Sequence, residues 1–327
     1  MKNPFVTNGY VSPEYFCDRE KETAKIVSLL TNENNIALIS PRRLGKTDLL
    51  RHCFGQPEIK EHYHTFIIDI YATSSVRDFV NVFGKAVLDE LRPKGKSVWG
   101  TFLNVLASLR SEITFDMNGQ PTWGIGLGAI TNPSATLDEI FSYLNNAGKP
   151  CLIAIDEFQQ ITKYADDPNI EAALRTHIQR CSNAHFVFSG SHRHLMGAMF
   201  TSPARPFYQS VTLINLPPIS VDKYAEFCLR HFERASKHLD TLVVTELYER
   251  FNGITSYMQK VMNILFSMTG TGEICIPSMI DTAINDLLDF SADTYDALLY
   301  QMPEKQRIVF MAIAAEGKAK AISSGDF

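Results

Sequence analysis

Residues 35–47 of the chain read Asn35-Ile36-Ala37-Leu38-Ile39-Ser40-Pro41-Arg42-Arg43-Leu44-Gly45-Lys46-Thr47. The apolar run at 36–39 predicts a short buried strand, a polar turn follows it, and Gly45-Lys46-Thr47 opens a helical pattern. A strand, a tight loop and a helix N-terminus in this order are typical of a phosphate-binding loop, because backbone N–H groups and the helix dipole attract phosphate oxygens there. The segment therefore predicts a P-loop.

The pattern G-x-x-x-x-G-K-[ST] is matched except at its first position, where Ser40 replaces glycine. Serine fits there only if its φ is negative, because glycine alone takes a positive φ without steric cost. Lys46 is predicted to reach the β- and γ-phosphates, and the Thr47 hydroxyl to ligate Mg²⁺. The alternative is a Ser/Pro turn that caps an ordinary helix, with Lys46 in solvent. The predicted nucleotide contacts of the loop are Ser40, Pro41, Arg42, Arg43, Leu44, Gly45, Lys46, Thr47 and Asp48.

A second apolar run, at 151–155, ends in Asp156-Glu157, which is the natural partner of a P-loop. Asp156 is predicted to hold the Mg²⁺ ion, and Glu157 to act as general base on the attacking water. Ser189 ends a further predicted strand and would sense the γ-phosphate if that strand neighbours the Asp156 strand. The alternatives are two solvated acids at a strand end and an ordinary turn serine.

Four arginines are candidates for phosphate chemistry. Arg42 and Arg43 lie inside the loop, where each either touches phosphate or pairs with an acid elsewhere. Arg193 and Arg205 follow the strand that ends at Ser189, and either is predicted to bring positive charge to the transition state from its own subunit or a neighbour's. The alternative for each is an ordinary surface or salt-bridge role.

The composition of the 327-residue chain excludes several classes of protein. Its 45% hydrophobic and 20% charged residues are ordinary for a globular protein of two or three domains. A net charge of −5 argues against nucleic-acid binding over the whole surface, although not against a local basic patch. We found neither an apolar run long enough to span a bilayer nor a signal-peptide core, which predicts a cytoplasmic protein without membrane contact.

Cysteine and histidine spacing does not predict a metal site. The six cysteines are scattered without a C-x-x-C pair, so they are expected to be reduced and buried. The H-x-H pairs His62/His64 and His192/His194 lack further ligands that would complete a set.

Hydrophobic periodicity predicts an α/β domain followed by a helical one. Besides 36–39, strands are predicted at 65–70, 151–155, 185–189 and 210–215. Helices between them are predicted at 46–54, 76–91, 136–147 and 171–180, preceded by a helix that Asp18 caps. Residues 93–133 are interpreted as an insertion with a hairpin at Asn118-Gly119, and the alternating glycines Gly124, Gly126 and Gly128 as an exposed hairpin edge.

After Pro217-Pro218 all the predicted elements are helices, at 221–229, 240–251, 257–268, 278–288 and 307–316, the last ending at Gly317. Three domains are therefore predicted: a P-loop α/β domain at 1–217, a helical domain at 218–289, and a partial C-terminal domain at 290–327.

Several motifs in order resemble the archaeal-type ATPase family, a group within the STAND branch of AAA+-like (ASCE) P-loop ATPases with Bacteroides-type members. The resemblance covers nearly the whole chain. The motifs are Phe16-Cys17-Asp18-Arg19-Glu20-x-Glu22, the loop at 40–47, Ile155-Asp156-Glu157-Phe158-Gln159, Ser189-Gly190-Ser191, Pro206-Phe207-Tyr208 and Phe251-Asn252-Gly253-Ile254-Thr255-Ser256-Tyr257-Met258-Gln259.

The resemblance implies that Asp18 and Arg19 pack near the adenine, and that an additional strand separates the P-loop strand from the Asp156 strand. It also implies that the helical domain is a lid over the nucleotide and that residues from 290 open a winged helix, incomplete here. Thr255 stands where relatives often have proline, and Ser40 is a variation that some relatives share.

The predicted function is a slow Mg²⁺-dependent ATPase that acts as a molecular switch. Its expected partners are ATP and ADP, a DNA or protein partner at the C-terminal segment, and further copies of itself in a nucleotide-dependent manner. The alternative is a nucleotide-stabilised scaffold or DNA-binding regulator with negligible turnover. A small-molecule kinase is a third interpretation, for which the sequence offers no acceptor-site signature.

Overall fold

The computed structural model describes residues 2–91, 113–115, 121–123 and 133–317. Five parallel strands form its central sheet: β1 (Ile36–Ile39), β2 (His64–Asp69), β5 (Cys151–Asp156), β6 (Ala184–Gly190) and β7 (Thr212–Asn215). Their order is β2-β5-β6-β1-β7, so β6 lies between the P-loop strand β1 and the strand that ends at Asp156. This additional strand and the parallel sheet confirm the predicted fold class.

Helices cover both faces of this sheet, which explains why its central strands are continuous apolar runs. On one face a buried cluster joins the sheet to α4 (Val76–Glu90), α5 (Pro133–Asn145), α6 (Ile170–Arg180) and α7 (Arg193–Thr201). On the other face the covering helices are α1 (Glu20–Thr31), α2 (Lys46–Phe54) and α3 (Pro57–His62). A 3-10 helix, Phe158–Lys163, directly follows β5.

Strand register brings the candidate residues to one edge of the sheet. Ile39 is paired with Gly190, and Asp69 is paired with Asp156. In an open parallel sheet, ligands bind in the crevice outside the carboxyl ends of the strands. The P-loop, Asp156-Glu157 and the residues after β6 therefore share that edge.

The helical part of the chain has its own core. It contains α8 (Val221–Arg234), α9 (Thr241–Phe251), α10 (Thr255–Met268) and α11 (Ile280–Asp289). Ser220 and Asp240 cap α8 and α9 by accepting hydrogen bonds from the N–H groups of Lys223 and Leu242. The short strands β8 (His238–Leu239) and β9 (Ile274–Cys275) pair in parallel beside these helices. Two further helices, α12 (Ala292–Gln301) and α13 (Glu304–Glu316), follow, and Gly317 is the C-cap as predicted.

The prediction that Asp18 caps α1 is wrong. Asp18 (φ 55°) and Arg19 (φ 76°) both adopt left-handed backbone conformations, which moves the N-cap to Arg19, and no side chain caps the helix. The Asp18 carboxyl turns instead toward Glu20, and burial together with that hydrogen bond raises its pKa.

The insertion is described only in part. Strands β3 (Ile113–Phe115) and β4 (Pro121–Trp123) pair antiparallel, as a hairpin requires. The predicted turn at Asn118-Gly119 and the glycines 124, 126 and 128 lie outside the described residues. In the described part of the chain all six cysteines are free and buried, and no three His, Cys, Asp or Glu side chains cluster as a metal site would require. None of the helices seen in that part has the length and apolarity needed to cross a membrane.

Candidate nucleotide-binding site

A cavity of about 520 Å³ opens at the carboxyl edge of the sheet. Its walls come from the P-loop with the ends of β2 and β5, the start of α10, the N-terminal residues that precede α1, and Ile219 before α8. We call residues 3–17 the N-terminal strap. The cavity therefore lies between the α/β part of the chain and its helical part.

The P-loop has the backbone geometry that phosphate binding needs. Within the loop, positive φ is confined to Arg43 (69°) and Gly45 (83°), so the first-position Ser40 meets its condition. Ser40 is fully buried, and its hydroxyl donates to the Pro41 carbonyl at 3.0 Å. The first-turn N–H groups of α2, which begins at Lys46, have no partner within their helix and face the same region.

Lys46 is a buried cation whose charge is only partly compensated. Its side chain is 7% exposed, and Nζ donates to the carbonyls of Ser40 (3.3 Å) and Pro41 (3.4 Å). Burial lowers the pKa of its ammonium, against the opposing influence of Asp156 and Glu157. A phosphate anion in the cavity would stabilise the charged form, so the position fits the predicted role.

Thr47 and Asp156 meet across the cavity floor. The Thr47 hydroxyl donates to Oδ2 of Asp156 at 2.5 Å, and Oδ1 of Asp156 accepts the Glu157 N–H at 3.0 Å. Adjacent hydroxyl and carboxylate oxygens are the ligand type that Mg²⁺ prefers, so these residues fit the ion. Asp69 also lines the cavity, with Oδ1 accepting the Tyr71 N–H. Sequence reasoning missed Asp69, although its place at a strand end is the signal that singled out Asp156.

Glu157 is held in one orientation by a small hydrogen-bond network. Its Oε2 accepts from Nε2 of Gln159 at 2.5 Å and from the Ser191 hydroxyl at 2.8 Å. The Ser191 hydroxyl in turn accepts from Nε of Arg42 at 3.4 Å. The predicted Ser189 is fully buried, and its hydroxyl has no hydrogen-bond partner among the described residues. Ser191, rather than Ser189, therefore contacts the candidate base.

Arg43 connects the P-loop to the helical part. Its carbonyl accepts the Ser256 N–H at 3.2 Å, and its guanidinium lies over the Tyr257 ring at 4.8 Å from the centroid. Arg42 lies over the Tyr71 ring at 5.4 Å. Both loop arginines thus contact aromatic rings rather than acids.

The downstream arginines do not line the cavity. Arg193 is exposed at the first residue of α7. Arg205 forms an ion pair with Glu171 of α6. Burial raises the pKa of the Glu171 carboxyl, and Arg205 offsets only part of that shift. Neither arginine reaches the phosphate end within one chain.

The far end of the cavity is formed largely by the N-terminal strap. Arg19 is 3% exposed in the wall, and its guanidinium donates to Glu22 (2.8 Å) and the Pro217 carbonyl (2.7 Å). The Tyr10 hydroxyl shares a hydrogen bond with Nδ1 of His52 at 3.0 Å, and the Phe16 ring stacks on the same imidazole at 4.5 Å. Asp18 does not line the cavity, whereas Arg19 does.

The strap is anchored in the helical core at its other end. Phe5 is fully buried there, with ring centroids 6.0 Å from Phe227 and 5.7 Å from Phe266. Nδ2 of Asn3 donates to the Asn263 carbonyl at 2.7 Å, and Nδ2 of Asn263 donates to the Phe5 carbonyl at 2.7 Å. Sequence reasoning missed this segment; its one signal is the run of aromatic residues just before the Asp18-Arg19 motif.

The fold and this edge of the sheet define the class as a P-loop ATPase. A family model described as an ATPase domain predominantly from Archaea matches residues 16–261, more than half of the chain. The chain therefore belongs to that family. A second model, described as a probable winged helix domain, matches residues 293–327.

Three solved structures with the same fold come from archaea. The Walker-type ATPase PABY2304 of Pyrococcus abyssi superimposes with a TM-score of 0.60 at 17% identity, covering 91% of this chain and 79% of that one. The ORC1 protein of Aeropyrum pernix, solved in complex with DNA, gives a TM-score of 0.60 at 14% identity, covering 96% and 76%. The ORC2 protein of the same organism, solved in ADPNP–ADP complexes, gives 0.58 at 13% identity, covering 87% and 71%. No curated protein sequence matches the chain significantly.

Proposed function

We propose that the chain binds Mg²⁺-ATP in the cavity and hydrolyses it slowly to ADP and phosphate. One observation carries the proposal: the ammonium of Lys46, the oxygen pair of Thr47 and Asp156, and the oriented carboxylate of Glu157 converge on the same cavity edge. Membership of an ATPase family supports the same reaction.

Each of these residues has a distinct task in the proposal. Lys46 and the N–H groups at the start of α2 bind the β- and γ-phosphates, while Asp156 and Thr47 are the ligands for Mg²⁺, which neutralises developing charge when bound. Glu157 accepts a proton from a water molecule while the water oxygen attacks the γ-phosphorus. The bond between the γ-phosphorus and the bridging oxygen of the β-phosphate then breaks, which releases ADP. Arg193 or Arg205 would supply positive charge from a neighbouring copy, whereas the buried Ser189 does not line the cavity.

In this proposal the nucleotide state is read by the helical part of the chain. The contacts of Arg43 with Ser256 and Tyr257 link the P-loop backbone directly to α10. A change of phosphate occupancy would alter the angle of residues 218–289 as a lid and thereby move the C-terminal segment from 290. That linkage supports a STAND-type switch that would present this segment to a DNA or protein partner.

Nucleotide binding is tested by replacing Lys46. Lys46→Ala is expected to lower ATP affinity at least tenfold in equilibrium titration, because a buried charge-assisted contact to phosphate is removed. Lys60→Ala, an exposed lysine on α3, is the matched control. Unchanged ATP affinity in Lys46→Ala would contradict the assignment of the cavity as the ATP-binding site.

Hydrolysis is tested by Glu157→Gln, which keeps the shape of the side chain but not its basicity. Phosphate release is expected to fall at least 100-fold, the lower end of what a general base contributes, while ATP affinity is retained. Turnover that survives this substitution would place the base elsewhere.

The runner-up function is a nucleotide-stabilised scaffold or DNA-binding regulator with negligible turnover. The observation that favours it is the absence of Arg193 and Arg205 from the described cavity lining, which leaves the transition-state charge incomplete within one chain. Phosphate release is measured with rising protein concentration, with and without duplex DNA. Release under any of these conditions supports the ATPase, and none, despite measurable ATP binding, supports the scaffold.

A further inference from the structure

Gln259 projects from α10 into the cavity wall, one turn after Thr255, which lies in the same wall. Its Oε1 accepts a hydrogen bond from the Tyr224 hydroxyl at 2.8 Å. Tyr224 is fully buried in the helical core, so this donor is fixed. Because Oε1 is occupied from the core side, the amide presents Nε2, a pure donor, as its other end.

The donor end of Gln259 has no protein partner in the part of the chain that the structure describes, since its amide makes only the bond to Tyr224. Gln259 follows Ser256, whose N–H meets the Arg43 carbonyl, by three residues, or about 4.5 Å along the helix axis. Its place is therefore beside, but not within, the phosphate end.

Beyond the P-loop residues, the cavity lining suits a flat apolar ring rather than a phosphate. It includes Ile219, which lies in the same buried cluster as Tyr224, and also Val6, Tyr10 and Phe16. Arg19, a cation in the same lining, already donates to Glu22 and to the Pro217 carbonyl. Apolar walls with one fixed donor describe a subsite for a heteroaromatic base.

We propose that Gln259 positions the purine base of the nucleotide by donating a hydrogen bond from Nε2 to a ring nitrogen, with Tyr224 as the residue that fixes the amide. The inference rests on the proposed nucleotide function and names the base-reading residue of that site. The free ring nitrogens of adenine, N1, N3 and N7, accept hydrogen bonds but do not donate at neutral pH, so a pure donor is the matching group.

ATP affinity is measured for four variants. Gln259→Met removes the donor at similar size and is expected to weaken ATP binding about tenfold, the upper range for one hydrogen bond. Gln259→Glu is expected to weaken it further, because a carboxylate would face a ring-nitrogen lone pair. Tyr224→Phe is expected to weaken it about threefold. Lys260→Ala, the exposed neighbour on α10, is the control and is expected to bind like the wild type.

Base analogues identify the atom that is read. Wild-type affinity is measured for 1-deaza-, 3-deaza- and 7-deaza-ATP, each of which lacks one ring nitrogen, and for 2′-deoxy-ATP. One of the three deaza analogues is expected to bind the wild type more weakly than ATP does. The same analogue should bind Gln259→Met as tightly as ATP binds that variant. As a positioning residue acts only through its partner, Tyr224→Phe should add no loss to Gln259→Met.

The outcomes separate this inference from the proposed function. If the wild type binds ATP and Gln259→Met binds it equally well, the inference alone is overturned. The inference is also overturned if the affinity losses from Gln259→Met and from the analogue simply add for all three deaza analogues. It is likewise overturned if 2′-deoxy-ATP is the one analogue for which the two losses do not add, because Gln259 then does not read the base. A wild type that fails to bind ATP overturns the proposed function and this inference together.

Discussion

Glu157 shows how a single residue is prepared for chemistry by its neighbours. Its backbone is left-handed (φ 55°), which turns the side chain away from the strand direction at the end of β5. Gln159 and Ser191 then fix the carboxylate by hydrogen bonds to one oxygen, Oε2. The other oxygen, Oε1, is left to act as the base in the proposed mechanism.

The role of Ser191 is open to direct measurement. Ser191→Ala is expected to lower the rate of ATP hydrolysis roughly tenfold, a fraction of the general-base contribution, because the Glu157 carboxylate loses one of two orienting donors. ATP affinity should not change, since Ser191 is not part of the cavity lining. Single-turnover hydrolysis measures the rate, and equilibrium titration separately measures the ATP affinity.

The matched control for this prediction is Ser182→Ala, an exposed serine before β6. It should leave both quantities unchanged. A Ser191→Ala protein with wild-type turnover would mean that Gln159 alone suffices to orient Glu157.

At this scale the sequence located the residues that a motif contains and missed those that only folding brings near. Asp156 and Glu157 were predictable from an apolar run that ends in two acids. The contact of Ser191 with Glu157 was not, because 34 positions separate them and two strands must pair first. The ion pair of Arg205 with Glu171 was equally unpredictable, since the same number of positions separates its two residues.

Among the elements, the turn into α2 is the one where backbone conformation is decisive. Gly45 has φ 83° at the N-cap of the helix, and no atom would obstruct a Cβ there. The need for glycine at this position is therefore conformational rather than steric. Helix α7 offers the opposite case in Gly197, a helical residue without positive φ and with equally open surroundings.

These two glycines form a matched pair for measuring the free-energy cost of a side chain at the left-handed position of the loop. Gly45→Ala is expected to lower the free energy of unfolding by about 1–2 kcal/mol, the cost of a left-handed alanine. Gly197→Ala is expected to raise it by about 0.5–1 kcal/mol, because alanine loses less entropy in a helix. Chemical denaturation of both variants beside the wild type is the measurement. Equal shifts of the same sign would contradict the conformational argument.

The elements that periodicity predicted are those with long apolar patterns. The five strands of the sheet were predictable as apolar runs, and the helices α1, α2, α4–α6 and α8–α11 because each buries one face of regular period. Helices α3, α7 and α12 and the 3-10 helix after β5 were not predicted; they span six, nine, ten and six residues. The equally short α2 was predicted because the P-loop motif marks its start.

On the scale of the whole molecule, the strap joins parts that are far apart in sequence. His231 of α8 is fully buried where the strap meets the helical core: its ring stacks on Tyr15 at 5.8 Å and meets Phe227 edge-on at 4.5 Å. Burial lowers the pKa of this imidazole, and the charges of Arg230 and Arg234 lower it further. Protonation is thus disfavoured in the folded protein.

The pH dependence of stability follows from this shift. Between the lowered pKa and the ordinary value of 6.5, the unfolded chain binds more protons, so the free energy of unfolding falls as pH decreases, by up to about 1.4 kcal/mol per pH unit for one group. Well above pH 6.5, where the imidazole is neutral in both states, His231 has no such effect. His231→Phe is expected to make the decrease between pH 7.5 and 5.5 shallower.

Denaturation titrations across this range are the measurement, with His194→Gln on the exposed side of α7 as control. Burial also lowers the pKa values of His52, His177 and His185, so part of the slope should remain. A His231→Phe protein with the full wild-type slope would assign the effect to those three residues. The aromatic run of the strap does not predict its contacts, because Phe5 and Phe266 are far apart in sequence and meet only in the folded helical core.

The strap is fastened to α8 and α10 by Phe5 and Asn3, and to α2 by Tyr10 and Phe16, with the cavity between the two attachments. A ligand enclosed beneath a segment tied down at both ends leaves only as often as one end is released. In the proposed site, residence time would then be governed by local opening of the strap and not by equilibrium affinity. Two variants with the same dissociation constant for ATP could then exchange nucleotide at very different rates. The rate of exchange would be set by how often the N-terminal strap opens.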